Sequence, residues 1–172
     1  MILDQEYTEN SIRTYTGKCF DIRKLDPDSI CIEDIAHALA YTPRFGGHLE
    51  GFYSVAQHSF YVSDCLAGTN DELAGLLHDA SEAYLGDMPS PFKKLMPCYK
   101  ELEHNLSVVI AKKFGIKYPY SMYIKDADAL LLSSEWNAFV MKKDLMCYWS
   151  PEKAKAMFLK RFNKLTNYDL RY

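Results

Sequence analysis

The sequence predicts an all-α fold, a single mainly helical domain over residues 1–172, with a small β-hairpin near the N-terminus. Two observations carry that expectation. From Glu33 onward, successive stretches repeat apolar residues every three or four positions, which is the spacing of one helix face. Only Ser11 to Ile22 alternates in the manner of strands, loosely, around the turn residues Thr16-Gly17-Lys18.

The elements follow in order. Leu25-Asp26-Pro27-Asp28-Ser29 is turn chemistry, and Glu33 to Ala40 is a short amphipathic helix with acids in its first turn. Tyr41-Thr42-Pro43-Arg44-Phe45-Gly46-Gly47-His48 breaks it into a loop, the kind of segment that often carries binding groups. A helix from Phe52 to Ala67 places Phe52, Val55, Ala56, Ser59, Phe60, Val62 and Leu66 inward, with His58 among them. After Gly68, Asn70 or Asp71 caps a helix running through Leu73, Leu76 and Leu77 into His78-Asp79. Pro89-Ser90-Pro91 ends that segment.

Cys98 to Phe114 is a long helix with Gly115 as its C-terminal cap. From Met122 to Met141, Ile124, Ala127, Leu130, Leu131 and Ser134 share a face that also includes Asp128. Pro151 opens a last helix whose core stripe is Phe158, Phe162 and Leu165.

Composition bounds the function. Hydrophobic residues at 48% and charged ones at 25% describe an ordinary globular chain rather than a disordered one. A net charge of −3 supplies no basic footprint for duplex nucleic acid. Five scattered cysteines with no CxxC spacing read as free thiols in a reducing compartment. The polar start, Met1 to Asn10, is no signal peptide, and no apolar run spans a bilayer, so the expectation is a cytoplasmic protein without membrane contact.

The chemistry concentrates around His78-Asp79. An imidazole nitrogen beside a carboxylate suits a first-row divalent ion. Glu82 falls one turn beyond His78, on the same face, within reach of the attacking water. A lone His-Asp pair is more often a helix-surface ion pair, and a lone His58 or Asp128 more often a satisfied core or surface group. What changes the balance is that candidate ligands sit on three separate apolar helices, where unpaired polar groups are costly. Two histidines and two aspartates so distributed make an octahedral or five-coordinate site with room for water.

Ser54-Val55-Ala56-Gln57-His58-Ser59, His78-Asp79-Ala80-Ser81-Glu82 and Lys125-Asp126-Ala127-Asp128-Ala129-Leu130 resemble, in that order, the H…HD…D signature of HD-domain phosphohydrolases. The similarity is closest to the 5′-deoxynucleotidase-like branch. It covers roughly Arg44 to Leu132 and is most specific from His78 to Lys93. The resemblance implies an HD-type helical bundle in which His58, His78, Asp79 and Asp128 hold a divalent metal ion (Mn, Co, Zn, Mg or Fe). Asp128 is preferred over Asp126 because the Ala-Asp-Ala-Leu frame matches. It further implies that Glu82 orients or deprotonates the nucleophilic water, and that Asp87 contacts the sugar hydroxyl or the nucleophile. Arg44-Phe45 takes the place of the family's Arg-aromatic pair, for phosphate recognition and for stacking on or screening the sugar. The family usually has Trp where Phe45 stands, and Gly46-Gly47-His48 also departs from its pattern. Lys93 and Lys125 add phosphate contacts.

The implied reaction is hydrolysis of a nucleotide phosphate ester. A deoxynucleoside 5′-monophosphate giving nucleoside and phosphate is the first expectation. The alternative is a dNTP (such as dATP) triphosphohydrolase releasing triphosphate. A catalytically silent, nucleotide-binding regulatory HD domain belongs to a different class, and retention of all four ligand positions with Glu82 weighs against it. A nuclease lacks the basic stripe it would need. The expected partners are a small nucleotide and further copies of the chain: 14% aromatic content, with thirteen tyrosines, agrees with the self-association common in that family.

Overall fold

The computed structural model describes residues 8–166; most of the polar N-terminal stretch read above, residues 1–7, lies outside that range, as do residues 167–172. The protein is mostly helical with one two-stranded antiparallel sheet. The expected hairpin is present: β1 (Ser11–Arg13) pairs with β2 (Cys19–Asp21), with Ile12 opposite Phe20. Phe20 points into the core and stacks on Tyr84, which fixes the hairpin to the body of the protein.

α1 (Ile32–Tyr41) buries Ile32, Ile35, Ala36, Leu39 and Ala40. It packs against α8 (Pro151–Thr166), whose Ala154, Phe158 and Phe162 fill the same core. Leu165, at the end of that stripe, is only partly buried. Between these helices and the site runs α2 (Val55–Cys65), which touches α1, α3, α7 and α8. A helix enclosed on every side normally reads as apolar throughout. Here Gln57, His58, Ser59 and Ser63 are buried as well. Gln57 offsets its burial by donating to the Cys147 carbonyl (2.7 Å) and accepting from the Trp149 amide (3.0 Å).

α2 begins three residues later than its apolar pattern suggests. Ser54 is the N-cap, its hydroxyl accepting from the Gln57 amide at 3.1 Å, and Phe52 stands partly exposed before it. Ser54 also forms an antiparallel bridge with Pro43, flanked by Arg44 N–H to Tyr53 O (2.8 Å) and Val55 N–H to Thr42 O (3.0 Å). That bridge ties the Arg44-Phe45 loop to the mouth of α2.

The His78-Asp79 pair is not helical. α3 (Glu72–Leu76) stops before it, and α4 (Glu82–Leu85) starts after it. Residues 77–81 are tight turns. Consecutive helical side chains diverge by about 100°, whereas this turn sends both groups to one side. Glu82 therefore opens its own short helix, its amide donating to the Asp79 carbonyl at 2.9 Å. Asp71 occupies the cap position of α3 without a side-chain cap bond; it accepts from the Ser121 hydroxyl at 2.6 Å instead. α3 lies close on α2 because residue 75 is glycine: a Cβ there would meet Leu66 Cδ1 at 2.6 Å.

α5 (Ser90–Lys93) is a single turn within the expected Pro-rich break. α6 (Pro97–Phe114) ends as predicted at Gly115, with φ +66°. α7 (Met122–Glu135) buries Ile124, Ala127, Leu131 and Glu135. Leu130 and Ser134, which the periodicity places on that face, are exposed. The true stripe advances by three and then four residues, and its last member is an acid, which an apolar template passes over. α7 continues as one π-helical turn, Trp136–Val140, closed by the Met141 amide on the Trp136 carbonyl at 2.9 Å. Among the described residues no helix is long and apolar enough to cross a membrane.

Candidate metal centre and its cavities

His58 from α2, His78 from the turn after α3 and Asp128 from the middle of α7 each present one ligand atom, and these atoms lie within 4.8 Å of one another. His58 Nε2 is 3.0 Å from Asp128 Oδ1 and 3.8 Å from Asp79 Oδ2. His78 Nε2 is 3.2 Å from Asp79 Oδ2 and 3.9 Å from Asp128 Oδ1. His58, His78 and Asp128 thus converge from three segments distant in sequence, and Asp79 lies against both imidazoles without joining that mutually close group. Asp126 is exposed and takes no part in this group.

The outer nitrogens fix how both rings face. His58 Nδ1 is 2.6 Å from Glu135 Oε1, and His78 Nδ1 is 2.8 Å from the Gly75 carbonyl. Acceptors at those positions hold the protons on Nδ1, so both Nε2 lone pairs point inward. Both Nε2 atoms are buried and make no hydrogen bond of good geometry. Two orphaned imidazole nitrogens beside two carboxylates fit a divalent ion with oxygen and nitrogen ligands.

Electrostatics points the same way. Burial alone would depress the His78 imidazole, but Asp79 beside it and Asp128 behind it outweigh burial and push it up to about 9. Asp79 is held far below the usual carboxylate range: burial opposes this and His78, His58 and Arg44 overcome it. Asp128 is lowered too, by its contact with His58 and the charge of His78 working against burial. In the ion-free protein a proton on His78 therefore stands where a cation fits.

Glu135 is the residue that motif reading passes over. It is fully buried, and its carboxylate accepts from Tyr53 Oη (2.7 Å), His58 Nδ1 (2.6 Å) and Arg44 Nη2 (3.0 Å). These contacts keep it ionised against its burial, the His58 bond first among them. Its sequence signal is the seven-residue step from Asp128, two turns along the same face of α7. Arg44 is held between Glu135 and Asp79, with Nη1 3.7 Å from Asp79 Oδ2 and its buried Nε unpaired.

A cavity of about 280 Å³ opens over this group, walled by Arg44 and Phe45, by Glu82 and Asp87, and by Lys93 and Leu132, with Asp79 and Asp128 at its floor. A second hollow of about 260 Å³ lies on the other side of Asp79, Lys93 and Asp128 and includes His78, Glu103 and Lys125. Lys125 thus belongs to the second hollow, apart from Arg44. Lys93 spans the two, bonded to Glu82 Oε1 at 3.1 Å and to Glu103 Oε1 at 2.7 Å. That pairing leaves Glu82 Oε2 buried and without a partner. Burial first, then the charges of Asp79 and Asp87, push the Glu82 carboxyl up to about 9. Asp87 is raised as well, chiefly by burial.

No family model matches the chain. It is 37% identical over 172 residues to the uncharacterized protein YfdR of Escherichia coli (strain K12), an overlap covering 90% of this chain and 95% of YfdR. The chain belongs to the YfdR family. A second relative is the uncharacterized protein RCAP_rcc00048 of Rhodobacter capsulatus, 38% identical over 131 residues. That overlap covers 69% of this chain and 67% of the relative.

Proposed function

We propose that the protein is a divalent-metal-dependent phosphohydrolase of the HD type that converts deoxynucleoside 5′-monophosphates to nucleoside and phosphate. The observation that carries this reading is the pair of unpartnered Nε2 atoms, on His58 and His78, facing Asp79 and Asp128 at the floor of a cavity. His58, His78, Asp79 and Asp128 would hold the ion. When bound, such an ion supplies a Lewis acid for a phosphoryl oxygen and lowers the pKa of water.

The chain's own residues supply the rest. Asp79 and Asp128 are held ionised at the cavity floor, so an anionic phosphate is repelled until a cation offsets them. Arg44 and Lys93 stand on the walls to take phosphoryl oxygens and the charge that develops on them. Glu82 has one oxygen tied to Lys93 and one free, so its free oxygen is the group that carries a proton to or from the reacting centre.

The second hollow favours one further reading. Lys93 and Lys125 line it beyond the ligand group, where a longer polyphosphate leaving group would fit. A dNTP triphosphohydrolase acting with the same ligands releases triphosphate there. Both readings are tested by incubating the metal-loaded protein with nucleoside mono- and triphosphates and separating orthophosphate from triphosphate. Orthophosphate from dNMPs supports the first, triphosphate from dNTPs the second, and neither product with Mn²⁺, Co²⁺, Zn²⁺, Mg²⁺ or Fe²⁺ refutes both.

A further inference from the structure

Two unusual backbone features meet beside the cavity over the ligand group, at Phe45 on its wall and at Trp136 packed against Phe45. Phe45 is a non-glycine residue with φ +56°, followed by Gly46 and Gly47 at +60° and +75°. Such a left-handed run is unfavourable for a residue with a bulky side chain unless its surroundings hold it. Opposite it, α7 widens into its π-helical turn at Trp136, a distortion frequent at functional sites. The Phe45 and Trp136 rings lie 6.4 Å apart between centroids, tilted by 41°, and half of Trp136 is exposed. The two distortions bring these rings against each other, Phe45 on the cavity wall and Trp136 outside it on the exposed side.

The ridge of α7 connects these rings to the metal ligands. Asp128, Leu132 and Trp136 are spaced four residues apart, one above another on a single face. Asp128 is at the cavity floor, Leu132 is on its wall, and Trp136 lies beyond Leu132 against Phe45. At 1.5 Å rise per residue the step from ligand to indole is roughly 12 Å along the helix. Arg44, adjacent in sequence to Phe45, faces the floor, so phosphate-binding and aromatic groups follow the same order on both walls.

We propose that Trp136, with Phe45 opposite, is the platform on which the nucleobase of the substrate stacks. This rests on the nucleotide reading above and extends it to base recognition. Phe45, Leu132 and Trp136 offer ring faces and methyl groups, with the indole N–H as their only hydrogen-bonding group. Stacking of that kind accepts every base and favours the larger ring system, so purine nucleotides bind more tightly than pyrimidine nucleotides at equal sugar and phosphate.

The test compares wild type, Trp136→Ala and Trp136→Phe on dAMP and on 2-deoxyribose 5-phosphate, which has no base. Tryptophan fluorescence is also titrated with a non-hydrolysable phosphonate analogue of dAMP in Mg²⁺. The expected result for Trp136→Ala is a KM for dAMP raised about tenfold or more, with kcat within twofold. Trp136→Phe should restore most of the loss, and 2-deoxyribose 5-phosphate should be unaffected. The analogue should quench wild-type fluorescence and leave that of Trp136→Phe, whose remaining Trp149 is buried, unchanged. Equal effects on both substrates, or fluorescence that ignores the analogue because a second copy of the chain covers Trp136, would overturn the platform. Quenching without hydrolysis of any phosphate ester would uphold the platform and remove the hydrolase reading. Hydrolysis indifferent to Trp136 would do the reverse.

Discussion

Replacing Glu135 with glutamine keeps the shape of the side chain and removes its charge. Two contacts, from Tyr53 Oη and His58 Nδ1, converge on Oε1 and survive as bonds to a neutral carbonyl. The third, from Arg44 Nη2 to Oε2, becomes a guanidinium facing an amide N–H when the carbonyl stays with Tyr53 and His58. Bonds to a charged group contribute about 1.5–3 kcal/mol each and neutral ones about 0.5–1.5, so losing one and weakening two costs about 4 kcal/mol. For a chain of this size that lowers the ion-free melting temperature by about 8–16 °C. The same change loosens the His58 ring and makes its Nε2 less basic, which should weaken ion binding about 10- to 100-fold. Scanning calorimetry of the ion-free protein and chelator competition with Zn²⁺ or Mn²⁺ read the two effects separately. A Glu135→Gln protein that melts within about 2 °C of wild type and binds the ion within twofold would refute the reasoning, because the carboxylate would then neither hold the fold nor aim the histidine.

Other outcomes follow from the same geometry. His78→Ala and Asp79→Ala should each abolish ion content, measured by elemental analysis, and phosphate release with it. Glu82→Gln should retain the ion and lose most of the rate, whereas unchanged turnover would remove Glu82 from the chemistry. The same variant carries a pH signature: a carboxyl raised from 4.5 to about 9 on folding stabilises fully below 4.5 and progressively less as pH rises toward 9. Ion-free Glu82→Gln should therefore gain on wild type progressively over that window in urea titrations, and a constant difference across pH would contradict the assignment. Gly75→Ala forces a Cβ to within 2.6 Å of Leu66 Cδ1, which should cost about 1–3 kcal/mol in denaturant unfolding and, through the Gly75 carbonyl, disturb His78.

The amphipathic parts of this chain could be read directly from their residues. The hairpin alternates, α1 and α8 carry continuous apolar stripes, and Gly115 marks the end of α6, because in each case one local rule and the tertiary packing agree. The candidate ligands were legible for a different reason: ionisable groups set in apolar helical patterns are costly unless something pairs them. What escaped reading depends on tertiary partners. Leu73, Leu76 and Leu77 read as a helix continuing into His78-Asp79, yet the chain turns after Leu76, where the Gly75 carbonyl takes the His78 ring. Glu135 sits where a periodic template expects a hydrophobic side chain, and only Tyr53, His58 and Arg44, arriving from other segments, make its burial tolerable. Trp136 resembles any core aromatic until the structure shows it half exposed at the π-helical turn and packed against Phe45.

Anomalous diffraction at the metal edge from crystals grown with Mn²⁺ or Zn²⁺ tests the central claim most directly. One strong peak is expected about 2.0–2.2 Å from Nε2 of both His58 and His78, with Asp128 and Asp79 oxygens completing the contact. No peak between the two imidazoles in metal-saturated crystals, or a peak bonded to neither ring, would contradict it.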